Sequence, residues 1–359
     1  MTPDPKPELG IVEGFYGRNW GWEARRAVMR LLRPHGYTFY LYAPKADAHL
    51  RRQWQEPYPA AGAAELARFA ADCRAADVRF GIGLSPFEIW SAFDGAARGA
   101  LADRLSLFAD LGAEDVGLLF DDMQGDRPDL AERQAEVVDF ARAHIASARL
   151  IVCPSYYSDD PVLDRVFGER PDKYLETLGA RLAPEVEIFW TGEEVCARQF
   201  SPGHLARVTA QLRRKPFLWD NYPVNDGPRM SPHLHLRSFT GRPASIAPHI
   251  AAHAINPALQ PMLSCIPALT LAMSYDRGDA YEYGAAFLEA ATFVAGPEIA
   301  ALLQADLLGL QDAGLDGMTD ERKARLRDKY AALDHPCARE VVEWLDGRYG
   351  VSAEEVATQ

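Results

Sequence analysis

Short apolar runs alternate with longer amphipathic stretches along most of this chain, and that rhythm restricts the available folds more than any other feature. The runs are Ile11-Val12, 38–42 (TFYLY), 78–84 (VRFGIGL), 116–120 (VGLLF), 150–153 (LIVC), 186–190 (VEIFW), 216–219 (PFLW) and 251–255 (AAHAI). They are bounded by Gly, Pro or charge, mostly rich in β-branched and aromatic residues, and too short for helices. They read as strands buried on both faces. Between the first two, 22–36 places Ala24, Val28, Leu31 and Leu32 on one helical face and stops at Pro34 and Gly36. The stretches 63–76, 101–112, 130–145 and 201–214 follow the same rule, the last with Ser201 as N-cap and Pro202 as first helical residue. Eight strands separated by helices over about 265 residues match an α/β (β/α)8 TIM barrel. A doubly wound open sheet is the other option, but no Gly-rich phosphate loop follows the first run.

From about residue 283 the pattern changes to continuous helical periodicity, in 285–296, 299–311, 320–334 and 338–350. The expected division is a catalytic barrel over 1–280 and a small helical C-terminal extension over 281–359. The extension reads as a docked cap without a catalytic role, and its helices offer a surface for a homo-oligomer.

Composition narrows the partners. The 359 residues are 48% hydrophobic, enough to fill a core of that size. A formal net charge of −13 would repel phosphate, so neither nucleic acid nor an anionic membrane is expected. The five cysteines are odd in number, scattered and without a CxxC pair, which fits a reducing compartment better than a disulfide framework. The start, MTPDPKPELG, has no signal-peptide core, and no stretch is read as approaching the roughly 20 apolar residues of a membrane span. The expectation is a cytoplasmic protein acting on a neutral substrate.

Barrel enzymes gather their reactive groups at the C-terminal strand ends. Here those ends carry EGFYG (13–17), APK (43–45), SPFE (85–88), Asp121-Asp122, PSYY (154–157), TG after Trp190, Asp220-Asn221 after Trp219, and Asn256-Pro257. Acids, amides, a lysine and flat rings together are the inventory of a sugar pocket. Asp121-Asp122 is the sharpest element. Two adjacent acids after VGLLF are costly to bury without partners or a task. Adjacent carboxylates at a strand tip can reach one substrate and push their pKa values apart, leaving one acid and one carboxylate near neutrality. An acid pair that caps a helix or binds a metal is the plainer reading. The histidine pairs His233/His235 and His249/His253 have metal-like spacing but no complementary ligands, and read as structural. Neither a GxSxG elbow nor a P-loop is present.

Residues 10–273 resemble the catalytic barrel of family 84 glycoside hydrolases, the O-GlcNAcase and hyaluronidase-like β-N-acetylglucosaminidases. The motifs, in order, are VEGFYG (12–17), YAPK (42–45), LLFDD (118–122), CPSYY (153–157), WTG (190–192), WDN (219–221) followed by Asn225-Asp226, and INP (255–257). The resemblance implies a retaining exo-enzyme in which the sugar's own 2-acetamido oxygen attacks the anomeric carbon, forming an oxazoline. Asp121 would orient the acetamido N–H, and Asp122 would protonate the leaving oxygen and then activate water. Lys45 and the backbone at Gly14 would hold a hydroxyl, and Tyr157 and Asn221 the acetamido group. Asp226 and Asn256 would hold the far hydroxyls, and Trp190 and Trp219 would wall the acetyl pocket. No metal or cofactor is implied. The substrate would be an N-acetylglucosaminide on a glycoprotein, glycopeptide or oligosaccharide. One departure stands out: Ala46-Asp47 follows the motif lysine, where family members commonly carry two acids. Two other readings stay open: a catalytically weak N-acetylglucosamine- or glycopeptide-binding protein, and a metal-dependent barrel hydrolase.

Overall fold

The computed structural model describes residues 6–145 and 148–359; the start of the chain, on which the signal-peptide reading rested, lies partly outside them. Eight parallel strands close into a barrel in sequence order. They are β1 (Glu8–Glu13), β2 (Tyr37–Tyr42), β3 (Arg79–Leu84), β4 (Asp115–Leu119), β5 (Arg149–Cys153), β6 (Glu187–Trp190), β7 (Phe217–Asp220) and β8 (Ala252–Ile255). Closure is made by β8 on β1, with Glu8 opposite Ala252 and Ile11 opposite Ile255. Each expected apolar run holds one strand.

Around the barrel lie α1 (Trp22–Leu32), α2 (Ala60–Ala75), α3 (Gly95–Asp110), α4 (Leu130–Arg142), α5 (Val162–Phe167), α6 (Tyr174–Arg181), α7 (Pro202–Leu212) and α8 (Pro261–Arg277). Their ends follow local chemistry. The α1 segment runs out through a turn containing Pro34 and reverses at Gly36, whose φ of 92° suits only glycine well. The Ser201 hydroxyl accepts the His204 N–H, with Pro202 in the first turn of α7. The α3 helix starts earlier than its apolar pattern shows, because Asp94 accepts from the N–H groups of Ala96 and Ala97. The sequence reading passed over α8. That helix is buried almost all round between the barrel and the extension, so it has no amphipathic period to detect.

The N-terminal end of the barrel is closed by charge. Arg149 forks onto Asp115 at 2.8 and 2.9 Å and reaches Glu8 at 3.1 Å, while Arg79 approaches Asp115 at 3.4 Å. The rings of Phe39 and Phe217 lie 5.5 and 5.3 Å from the Arg149 guanidinium. Those strand-start residues serve stability and leave the other mouth for chemistry.

The extension holds α9 (Tyr283–Leu307), α10 (Asp320–Ala331), α11 (Pro336–Leu345) and α12 (Ala353–Thr358). The expected boundary at 280/281 falls in the turn between α8 and α9. With its continuation to Ala313, α9 is 31 residues long and contains an 18-residue window of mean hydropathy 1.5, enough by length and composition to cross a membrane. That corrects the expectation that no stretch approaches such a length. The helix kinks at Gly296-Pro297, and Phe287, Ala290, Ala291, Val294 and Leu303 are buried as α9 packs along α8. On α11, Glu340 accepts the N–H groups of Met262 and Leu263 in the first turn of α8, both at 2.9 Å. The Trp344 indole N–H donates to the Ser231 carbonyl at 3.1 Å.

Candidate active site

At the C-terminal mouth of the barrel lies a cavity of about 270 Å³. Small-molecule sites run from about 300 to 1,000 Å³, so this one suits a single sugar ring rather than an oligosaccharide. Gly14, Lys45, Asp121, Asp122, Tyr157, Trp219, Asn221, Asp226 and Asn256 all line it.

Asp121 and Asp122 follow Phe120, the first residue past the end of β4. The Phe120 N–H still bonds the Cys153 carbonyl at 2.8 Å, and the chain then turns at Asp122, whose φ is 56°. A left-handed aspartate is tolerated at modest cost, and the turn brings two consecutive carboxylates to one pocket rather than to opposite faces. Lys45, at 2% exposure, is the shared partner. Its ammonium bonds Asp121 Oδ2 closely and lies 3.9 Å from Asp122 Oδ2. Asp121 Oδ1 is buried and has no partner among the described residues. Asp122 accepts two hydroxyls, from Tyr16 at 2.8 Å and from Tyr157 at 3.1 Å.

A polar chain crosses the other side. The Gly14 N–H donates to Asn256 Oδ1 at 3.3 Å, Asn256 Nδ2 to Asn221 Oδ1 at 3.0 Å, and Asn221 Nδ2 to the Val195 carbonyl at 2.9 Å. Asp226 takes the Tyr16 N–H at 2.8 Å. Trp219 forms a wall, its indole N–H unpartnered among the described residues. Gly14 backs onto it so closely that a Cβ there would come within 2.2 Å of the ring. Beneath, the fully buried Glu13 is gripped by Arg25 at 2.5 and 2.8 Å and by the Tyr40 hydroxyl at 2.7 Å. That ion pair anchors the end of β1.

Burial raises the Asp122 carboxyl. The charges of Lys45 and Arg51 and the two tyrosine hydroxyls outweigh it, leaving Asp122 below the ordinary carboxylate range. The role expected of Asp122, giving a proton to the leaving oxygen, asks for the opposite shift. Asp226 moves the other way: burial, against two backbone N–H bonds, lifts it to about 6.

Trp190 is the second correction. Phe189 faces into the barrel against Phe217 and Trp219, so the next side chain on β6 must face the helices. Trp190 is completely buried there, its N–H donating to His204 Nε2 at 2.9 Å, and it does not line the pocket. Thr191 and Cys153 line it instead. Tyr16, Arg51 and Val356 are among the other participants missed. Tyr16 stood inside the quoted EGFYG motif without a role. Arg51, at 3% exposure with Nε and Nη1 unpartnered among the described residues, sits behind Asp122 on the loop after β2 and has no sequence signal. Val356, on α12, lines the cavity from the extension. Asp47, at the departure from the family pattern, accepts the hydroxyls of Tyr42 and Tyr58 at 3.0 and 2.6 Å and so braces its loop.

Among the described residues no group of three or more His, Cys, Asp or Glu side chains is placed to hold a metal ion. His233 bonds the Gln311 carbonyl at 2.7 Å. His253 is fully buried between Asp220 at 3.0 Å and the Tyr275 hydroxyl at 2.8 Å.

A closed parallel barrel with a lysine-bridged carboxylate pair, an amide chain and an indole wall at its mouth is of the glycoside hydrolase class. Residues 9–305 match the model of the beta-N-acetylglucosaminidase (NAGidase) family, and the chain belongs to that family, family 84 of the glycoside hydrolases. The protein O-GlcNAcases of Mus musculus and Rattus norvegicus are each 28% identical to it over 277 residues, 74% of this chain. The chain spans about 30% of the length of those relatives. An O-GlcNAc hydrolase mutant of Thermobaculum terrenum shares 25% identity and a TM-score of 0.77, covering 95% of this chain and 80% of that one. CpGH84B shares the fold, with a TM-score of 0.72 at 23% identity, over 95% of this chain and 59% of that one.

Proposed function

We propose that this chain is a retaining exo-β-N-acetylglucosaminidase that uses the substrate's 2-acetamido group as its nucleophile and releases N-acetylglucosamine from Ser or Thr of proteins or peptides. The observation that carries the reading is the buried, unpartnered Oδ1 of Asp121 on the pocket wall. A buried carboxylate oxygen without a donor is expensive, and an acetamido N–H supplies the missing bond. With that bond made, the acetamido oxygen attacks the anomeric carbon as the bond to the leaving oxygen breaks. Asp121 stabilises the positive charge growing on nitrogen. Asp122 transfers its proton to the leaving oxygen, then removes one from the water that opens the oxazoline, with overall retention. An intramolecular nucleophile acts at high effective concentration.

The remaining roles follow position. Tyr157 turns its hydroxyl from Asp122 to the attacking acetamido oxygen, and Asn221 supports the same group. Lys45 and the Gly14 backbone hold a ring hydroxyl, Asp226 and Asn256 the far hydroxyls, and Trp219 packs on the acetyl methyl. Similarity to the mouse and rat protein O-GlcNAcases supports the Ser/Thr-linked substrate, and the five free cysteines suit a reducing, cytoplasmic setting. One observation favours a sugar-binding protein with little turnover: Asp122 is held low in the protein alone. Release of 4-nitrophenol from its β-N-acetylglucosaminide, with the β-glucoside nearly inert, separates the two. Equal turnover of both glycosides would refute the acetamido nucleophile, and tight binding of N-acetylglucosamine without turnover would refute the hydrolase.

A further inference from the structure

After α11 the chain returns to the mouth of the barrel. Val351 packs against Gly17, where a Cβ would meet its methyl at 2.6 Å, and the Val351 N–H donates to the Ser231 hydroxyl at 3.2 Å. Ser352 and Glu355 form a capping box that starts α12. The helix then sets Val356 in the lining of the pocket. Two bonds pin it: the Gly17 N–H donates to Gln359 Oε1 at 2.7 Å, and Arg52 donates to the Ala357 carbonyl at 2.6 Å. Gly17 and Arg52 are the immediate successors of Tyr16 and Arg51. Those two touch Asp122 directly, Tyr16 through its hydroxyl and Arg51 at 3.4 Å from its carbonyl. The helix is therefore fastened to the two loops that hold Asp122.

We propose that α12, through Val356, is the wall of the leaving-group site: it packs against a small apolar or aryl aglycone and restricts a bulkier peptide. The inference rests on the function proposed above, since Asp122 is the group facing the departing oxygen only under that reading. Val356 and Asp122 line the same cavity, and α12 is pinned to the loops that touch Asp122, which sets the helix on the leaving-group side under that reading. The wall is apolar where it meets the pocket, and both of its pins run to the loops beside Asp122, so the deletion is read beside a substitution that leaves those pins in place.

Three chains decide it: the full chain, a chain lacking 353–359, and Val356→Ala, which keeps both pins if the deletion fails to fold. Each is assayed with 4-nitrophenyl β-N-acetylglucosaminide and with a peptide carrying the same sugar on serine. Loss of the valine contact lowers kcat/KM for the aryl glycoside by about five-fold in both altered chains. The peptide's kcat/KM holds or rises, so the peptide-to-aryl ratio increases. An unchanged ratio in both altered chains overturns the wall. A full chain inactive on both substrates overturns the hydrolase reading instead. Calorimetry with the phenyl and methyl 1-thio-β-N-acetylglucosaminides then reads the wall: Val356→Ala weakens the phenyl ligand alone, and equal weakening of both, or of neither, overturns it.

Discussion

Glu340 joins the extension to the barrel, and its environment makes stability depend on pH in a calculable way. The side chain is 8% exposed, and its oxygens accept the N–H groups of Met262 and Leu263. Burial raises its carboxyl from 4.5 to about 7; the two N–H bonds and Arg339 work against that rise, and Glu343 adds to it. Between those two pH values the folded chain holds a proton that the unfolded chain has lost. Stability from this group is thus complete below pH 4.5 and lost as pH climbs to about 7. At about 1.36 kcal/mol for each pH unit, the loss is about 3 kcal/mol, a large share of the ~5–15 kcal/mol that holds a domain folded. Glu340→Gln keeps one accepting oxygen but sets an amide N–H against the second backbone N–H, a pH-independent cost of about 1–3 kcal/mol. Urea unfolding of both chains at pH 5, 6, 7 and 8 isolates the group, because every other titration cancels in the difference. The advantage of the unaltered chain over Glu340→Gln shrinks by about 2.5 kcal/mol from pH 5 to pH 8, the first part of the loss having occurred below pH 5. A difference that stays constant across that range refutes the reasoning.

Under the proposed function, Asp122→Asn abolishes turnover of glycosides with poor leaving groups, and Asp121→Asn slows turnover by on the order of 10²–10³-fold, both read as kcat. Gly14→Ala forces the Trp219 ring out of place, since the new Cβ would sit 2.2 Å from it; affinity for an oxazoline-mimicking thiazoline falls at least about ten-fold, while the urea midpoint moves little. Lys45→Met removes the largest charge holding Asp122 low. The alkaline limb of the kcat profile, set by loss of the acid's proton, moves up by roughly one pH unit, and KM rises with it.

Strand positions were legible because a strand buried on both faces leaves an uninterrupted apolar run, and each run ended where a polar tail began. Glu8, Asp115 and Arg149 lay outside those runs, and Glu187 stood inside one without a role. They are strand residues whose charges neutralise one another inside the barrel, which no single-strand pattern shows. Only α8 among the long barrel helices was missed, for the opposite reason: packed on both sides, it lost the polar stripe that marks a helix. At the site, residues directly after strands were readable by position, whereas Arg51 and Val356 arrive from a loop and a distant helix. Trp190 shows the limit of adjacency. Two neighbouring aromatic residues on one strand cannot both face the pocket, and the sequence does not say which does until the register is known.

The state of Asp122 follows from the same convergence that makes the pocket. Lys45, Arg51, Tyr16 and Tyr157 reach one carboxylate because β1, β2, β4 and β5 end around it, and together they hold it ionised. An acid catalyst needs the reverse. Under the proposed function, the substrate supplies the change: an acetamido oxygen draws away the Tyr157 hydroxyl, a ring hydroxyl competes for Lys45, and the leaving group shuts out water. Each step removes stabilisation from the carboxylate and raises its pKa. A sugar without the acetamido group leaves Tyr157 on Asp122, so it lacks the nucleophile and also fails to release the acid. Selectivity and proton transfer then depend on one hydroxyl, 3.1 Å from the group it restrains.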